Sequence, residues 1–359
     1  MSKDFRHNNF DLIRLVAAVQ VMLFHAFTHF NVQAPFADQI KGFVYLLPGV
    51  PIFFTISGFL IYQSLERNRD KLKKYFVNRA LRIYPALYVC LAFTLLLLII
   101  SRELNWDVAF KGSFIAWLFA QLSMFQFYHI PEFDSWGVGR PNGSLWSISV
   151  EVQFYLFLPI LVLFIMPLSK KKWGKNLLVL GIAALSIYYN IWLNTHLNEN
   201  QTLYKIMDVF LMKYLYFFCM GILIHLNFDW LKKYLVGKAW FWIPFFILFT
   251  LVFRNWLNLF ENVYETNVLG LAGEIILSLT TISAAYSAPG ISERLLRGND
   301  LSYGIYIYHM PVFNYLMMEY PSLNWAQFIT ICLSILMIAS LSWSIVEKNV
   351  LKLKTKIRV

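Results

Sequence analysis

The feature that most constrains this chain is the recurrence of apolar stretches about 20 residues long, the length needed to cross a bilayer as a helix. Such stretches lie near residues 10–30, 43–64, 83–101, 145–166, 177–194, 206–226, 239–257, 268–287, 302–318 and 325–347. A further apolar stretch near 113–128 contains Gln121, Ser123 and Gln126 and reaches only about 24 Å at helical rise. The basic residues choose between ten spans and eleven. With ten spans and a cytoplasmic N-terminus, roughly 23 of the 31 Lys and Arg fall on the cytoplasmic side and about five opposite. That side takes Lys3 and Arg6, the run Arg67 to Arg82, Lys170 to Lys175, Lys232 to Lys238, Arg294, Arg297, and the tail Lys348 to Arg358. Eleven spans would move three of these runs outside. The expected fold is therefore an all-α integral membrane protein of ten transmembrane helices, with 113–128 as an additional re-entrant or interfacial helix. Such a segment requires a protein-lined or wet cavity, placed here on the outer side beside the loop 129–144.

Composition agrees with this class: 58% of residues are hydrophobic and 14% charged, and 33 Phe, 20 Tyr and 12 Trp suit lipid-facing helices with interfacial belts. The net charge of +11 is distributed between spans, which argues for membrane orientation and lipid contact rather than nucleic-acid binding. Cys90, Cys219 and Cys332 lie far apart in apolar segments, without metal-ligand spacing, so no metal is expected. The first span lacks the cleavage signal of a removable leader. Without repeats or flexible linkers, a single membrane domain over 1–359 with no fused soluble domain is expected.

Ionisable side chains inside spans are costly, and each is a candidate for function. Arg14 and His25 lie eleven residues apart in the first span, hence on one face and roughly 16 Å apart along the axis. Glu151 starts the fourth span, which runs the opposite way, roughly 9 Å below the outer surface. That depth matches His25, and a carboxylate beside an imidazole orients a general base; polar packing between helices is the alternative. Arg79 and Arg82, with Lys71, Lys73 and Lys74, sit at the cytoplasmic mouth of the third span, where they could hold phosphate or lipid headgroups. His309, among Tyr303, Tyr306 and Tyr308, reads as a hydrogen-bonded core histidine or a cavity-lining group, the former being simpler. Ser57 and Gly58 read as a small-residue site for close helix approach. Lys213, Arg254 and Glu274 read as snorkelling or paired groups nearer helix ends or at undecided depth.

Five segments in order resemble the acyltransferase 3 family of integral membrane O-acyltransferases. They are Arg14-x10-His25 within FDLIRLVAAVQVMLFH, FFTISGFLI from Phe53, RALRIYP from Arg79, SLWSISVEVQFYLFLP from Ser144 and SYGIYIYHMP from Ser302. The resemblance implies a ten-helix bundle with both termini cytoplasmic in a bacterial inner (plasma) membrane. It also implies transfer of an acetyl or other short acyl group from cytoplasmic acyl-CoA, with acetyl-CoA as donor substrate, to a hydroxyl of a cell-surface glycan or glycolipid. The family pattern carries a second acidic residue where this chain has Val152, leaving Glu151 as the one carboxylate. The expected roles are His25 and Glu151 as catalytic residues, Arg14, Arg79 and Arg82 on the donor, and Trp136, Arg140 and Asn142 on the acceptor side. Direct transfer and a covalent acyl-His25 both remain open, and a transporter or flippase for a lipid-linked glycan is the alternative function.

Overall fold

The computed structural model describes residues 8–199, 201–259 and 261–356. Lys3, Arg6 and Arg358, used above to orient the termini, lie outside the described residues. The main helices are α1 (Phe10–His29), α2 (Gly49–Arg67), α3 (Leu72–Ile100), α4 (Gly112–Leu122), α5 (Trp146–Ile160), α6 (Lys172–His196), α7 (Leu211–Leu226), α8 (Ala239–Thr250), α9 (Val268–Ala285), α10 (Ser302–Met317) and α11 (Trp325–Ser342). Three of them, α5, α8 and α11, run on into π-helical turns at Leu161–Ile165, Leu251–Trp256 and Trp343–Glu347. Among the described residues nine helical segments are long and apolar enough to cross a membrane, and the chain is an all-α integral membrane protein. Nine of the ten expected spans coincide with these segments. The tenth, α10, has 16 residues and rises only about 24 Å. The stretch near 113–128 yields the 11-residue α4, too short to cross. The only strands among the described residues, β1 (Asn31–Val32) and β2 (Ser322–Leu323), form one short parallel pair.

The chain divides into two compact units built from interleaved segments. One comprises the described residues through Ala17, Pro48–Leu72 and Gln153–Gly298. Its centre is the contact of α2 with α7, made possible by small residues: a Cβ on Gly58 would lie 2.1 Å from the Phe218 carbonyl oxygen. Around this contact the Phe218 ring stacks on Phe54 and Phe154, with centroids 4.5 and 4.0 Å away. Lys213 pairs with Asp208. Glu274, whose depth the sequence left undecided, is fully buried, where it accepts a 2.7 Å hydrogen bond from Ser278.

The other unit comprises Ala18–Leu47, Lys73–Val152 and the residues from Asn299 onward. The second half of α1 reaches α11 through Phe27, whose ring lies 4.8 Å from that of Phe328. Pairing of β1 with β2 ties the end of α1 to the entry of α11, which starts on an Asn324/Gln327 capping box. Leu91, Leu98, Phe114, Trp117, Ile130, Phe133 and Trp136 form a hydrophobic cluster that fixes α4 and the following loop against α3. Of the residues given expected roles above, His25, Arg79, Arg82, Trp136, Arg140, Asn142 and Glu151 belong to this second unit and Arg14 to the first.

Candidate active site

The site begins with a proline. Pro311 lies inside α10, so it offers no N–H to the Ile307 carbonyl one turn earlier. In a membrane helix that orphan acceptor requires another donor. Asn142 donates to it from Nδ2 at 2.8 Å and Cys90 from Sγ at 3.1 Å. The SLWSIS segment then braces the preceding turn: Tyr306 donates to the Ser144 carbonyl at 3.1 Å, leaving its oxygen to accept from the Ser147 hydroxyl at 2.5 Å. Two of the sequence motifs thus hold each other, and their shared product is a fixed position for His309.

His309 is fully buried. Its Nδ1 faces the Ile305 carbonyl at 3.1 Å, and its Nε2 lies 2.8 Å from Nδ1 of His25. The two imidazoles stack with centroids 5.0 Å apart and an interplanar angle of 19°. His29, one turn along α1, stacks on His25 at 5.7 Å. The His25 ring is half-buried. The partner of its Nδ1 is therefore an imidazole and not the carboxylate expected from matching depths. Glu151 lies in electrostatic reach of Tyr75, Tyr303 and Tyr306. Ser147 meets the Tyr306 hydroxyl, and Glu151 follows one turn later on α5, in reach of Tyr303. His309 lies on the other side of Tyr306, roughly 9 Å from Tyr303 along α10.

At the Tyr303 end of α10, Arg82 forms an ion pair with Asp300, whose carboxylate also accepts from the Ser302 backbone N–H at 3.1 Å. The π-helical turn after α11 brings Glu347 into electrostatic reach of Arg82 and Asp300. Trp343 of the same turn donates to Asn299 at 2.9 Å. Tyr303 donates to the Ile83 carbonyl at 2.9 Å, fixing α10 to α3. Arg79 lies one turn before Arg82 on α3, in electrostatic reach of Tyr75. From Ser302 at this end to His309 the axial rise is about 10 Å. Arg14 pairs with Asp11 at 3.0 Å within the first unit. On the unbroken helix α1 it shares a face with His25, as the eleven-residue spacing requires.

The acceptor-side candidates separate sharply. Trp136 is fully buried within the α3–α4 cluster, which corrects its expected place on the acceptor side. Its position follows from the loop's own anchoring: Gly137 adopts φ +58°, and Asn314 of α10 accepts from the Val138 N–H at 3.0 Å while donating to the Arg140 carbonyl at 2.7 Å. Asn142 is spent on Ile307, and its Oδ1 accepts from Ser144 at 2.8 Å, so its side chain acts as a strut. Only the Arg140 side chain is exposed among the three. Outside the spans, the Ser113 hydroxyl and Lys111 hold the Glu132 carboxyl below the usual carboxylate range, joining the loop to the start of α4.

His309 is the hydrogen-bonded core histidine that the sequence suggested, with His25 as a partner the sequence did not name, and Asp300 was not singled out. His309 carried a signal, a histidine one turn from a tyrosine-rich face and two residues before Pro311, but no local pattern names its partner. For Asp300 the Asp-x-Ser spacing at a helix start was the available hint.

Comparisons with known proteins bear on this geometry. Residues 7–346 match the acyltransferase domain family. Nodulation protein 10 of Rhizobium leguminosarum bv. viciae is 31% identical over 358 residues, covering 98% of this chain and 95% of the relative. The O-acetyl transferase of Shigella phage Sf6 is 26% identical over 360 residues, covering 96% of each. Peptidoglycan O-acetyltransferase OatA of Listeria monocytogenes is 29% identical over 196 residues, covering 51% of this chain and 28% of that longer protein. No solved structure matches.

Proposed function

This chain belongs to the acyltransferase domain family, and from that membership we propose that it is a membrane O-acetyltransferase that moves an acetyl or other short acyl group from acyl-CoA to a hydroxyl of a cell-surface glycan. The similarity to an O-acetyl transferase along 96% of both chains supports the reaction class. The single observation that carries the site is His25: a half-buried imidazole within a membrane span, engaged through Nδ1 by a second imidazole. Family membership favours an enzyme over the transporter or flippase reading, and no observation revives the latter.

In the proposed reaction His25 removes the proton of the acceptor hydroxyl as its oxygen attacks the thioester carbonyl carbon. The C–S bond then breaks, the ester C–O bond remains, and the imidazolium returns the proton to the departing thiolate. In the covalent variant the imidazole nitrogen attacks first, releases the thiol and passes the acyl group to the hydroxyl. Donor phosphates would lie at the Arg79/Arg82 end, where guanidinium groups suit phosphate oxygens. Glu151 would set the electrostatics along the path between that end and His25, and Arg14 would guide the donor along the face of α1. Arg140 is the acceptor-side residue retained, on the strength of its exposure. The distribution of basic residues supports an orientation with both termini cytoplasmic, and the bacterial relatives support a bacterial inner membrane as the location.

The test is incubation of the purified protein with radiolabelled acetyl-CoA and a glycan acceptor. Acyl transfer that requires His25 supports the proposal; a wild-type protein that leaves the thioester intact with every surface glycan offered overturns it.

A further inference from the structure

We propose that His309 is a positioning residue that fixes the tautomer of His25, keeping the proton on Nδ1 and making Nε2 the atom that reacts. This rests on the reading of His25 as the reacting group and adds which of its two nitrogens does the work and what selects it.

The argument is hydrogen-bond accounting. A backbone carbonyl oxygen can only accept, so the 3.1 Å contact between His309 Nδ1 and the Ile305 carbonyl places a proton on that nitrogen. A neutral imidazole then has an unprotonated Nε2, which can only accept. Across the 2.8 Å contact to His25 Nδ1, the proton must therefore come from His25. Two imidazolium rings cannot share such a contact, because N–H would point at N–H. With Nδ1 of His25 committed as donor, its lone pair is left on Nε2, the nitrogen that can take a hydroxyl proton or attack a thioester. The same logic, in which one ring nitrogen is held by a buried partner so that the other is set for chemistry, governs orienting groups of catalytic histidines generally.

The surroundings make the device rigid. His309 is fully buried and packs edge-on against Phe313 at 5.7 Å and Tyr306 at 6.0 Å. The turn that carries it is pinned on one side by the Asn142 and Cys90 bonds to Ile307 and on the other by Ser144 and Ser147 on Tyr306. Gly304 lets α10 approach α11, where an added Cβ would meet Ala339 at 3.0 Å. A ring held this way cannot rotate to offer its other nitrogen without breaking the bond to Ile305.

The test has a spectroscopic arm and a kinetic arm, both on the full-length protein in lipid nanodiscs. With 15N-labelled histidine, and the His25 signal identified by its loss in His25→Gln, the wild-type ring is expected to show a protonated Nδ1 and a bare Nε2. A resting His25 protonated on Nε2 instead, or averaging between tautomers, overturns the proposal. In His309→Leu, which has no acceptor, the tautomer preference is expected to disappear and kcat to fall roughly 10²-fold with little change in KM, within the range of general-base assistance. In His309→Gln, whose side-chain oxygen can reach the former Nε2 position, the tautomer and at least a tenth of wild-type kcat are expected to return. Wild-type kcat in His309→Leu beside an inactive His25→Ala overturns the positioning role alone. Wild-type transfer in His25→Ala overturns the parent reading instead, and the two failures are thereby distinguished. If both His309 variants fail to accumulate in membranes, the wild-type spectrum still decides.

Discussion

Asn142 donates a 2.8 Å hydrogen bond to the carbonyl of Ile307, the acceptor that Pro311 leaves without its helical donor. The bond couples a loop residue to the turn that carries His309. It gives Asn142 a structural task where an acceptor contact was expected, and the two roles have different signatures.

Replacing Asn142 with Ala leaves the Ile307 carbonyl with Cys90 as its remaining side-chain donor. A loss of about 1 kcal/mol is expected from one such hydrogen bond, read as a lower unfolding temperature in detergent, with KM for the glycan acceptor unchanged. Arg140→Ala should do the reverse, raising acceptor KM while stability holds. A stable Asn142→Ala protein with weakened acceptor binding would return Asn142 to the acceptor site.

For His25→Ala, transfer is expected to fall roughly 10² to 10⁴-fold, the value of a positioned general base, while membrane abundance matches the wild type. Labelled-acetyl transfer to surface glycan measures this directly. The ring is half-buried between His29 and His309 in their stack, and its removal should not unfold the unit.

At the Arg82 end, the ion pair with Asp300 makes the outcome of mutation double. Arg82→Gln leaves the carboxylate, which is 10% exposed, without its charged partner. Stability should drop by roughly 1 to 3 kcal/mol, and the loss should be smaller when Asp300→Asn is made alongside. Arg79→Gln should weaken acyl-CoA binding. Equilibrium binding of a non-hydrolysable CoA analogue separates the effects; equal affinities in all variants would remove both arginines from the donor site.

Gly58→Leu should abolish accumulation of folded protein, because even the first carbon of a side chain would sit 2.1 Å from the Phe218 carbonyl oxygen. That atom is backbone and cannot swing away, so α2 and α7 must separate, at a cost of at least about 1 to 3 kcal/mol. Fluorescence-detected size exclusion of the tagged variant checks it; a wild-type elution profile would mean the helices are not packed as described.

The sequence by itself determined the features that depend on local periodicity and on transfer from water. Spans long enough to cross a bilayer, the shared face of Arg14 and His25, a short helix within 113–128 and the small-residue contact at Gly58 all follow from residues within a few turns of each other. What the tertiary structure alone decided is which far-separated groups meet. His25 and His309 are 284 positions apart, and Arg82 and Asp300 are 218 apart. Where α5 places Ser147 and Glu151 along α10 depends on how the loop 129–144 is anchored by Asn314 and Asn142. Trp136 shows the same limit from the other side, since an indole in a polar loop reads as exposed until the cluster of Phe133, Trp117 and Leu98 closes over it. Helix formation is set by nearest neighbours, whereas the rotation and sliding of one helix against another are set by the sum of contacts along both, and no short stretch of chain contains that sum.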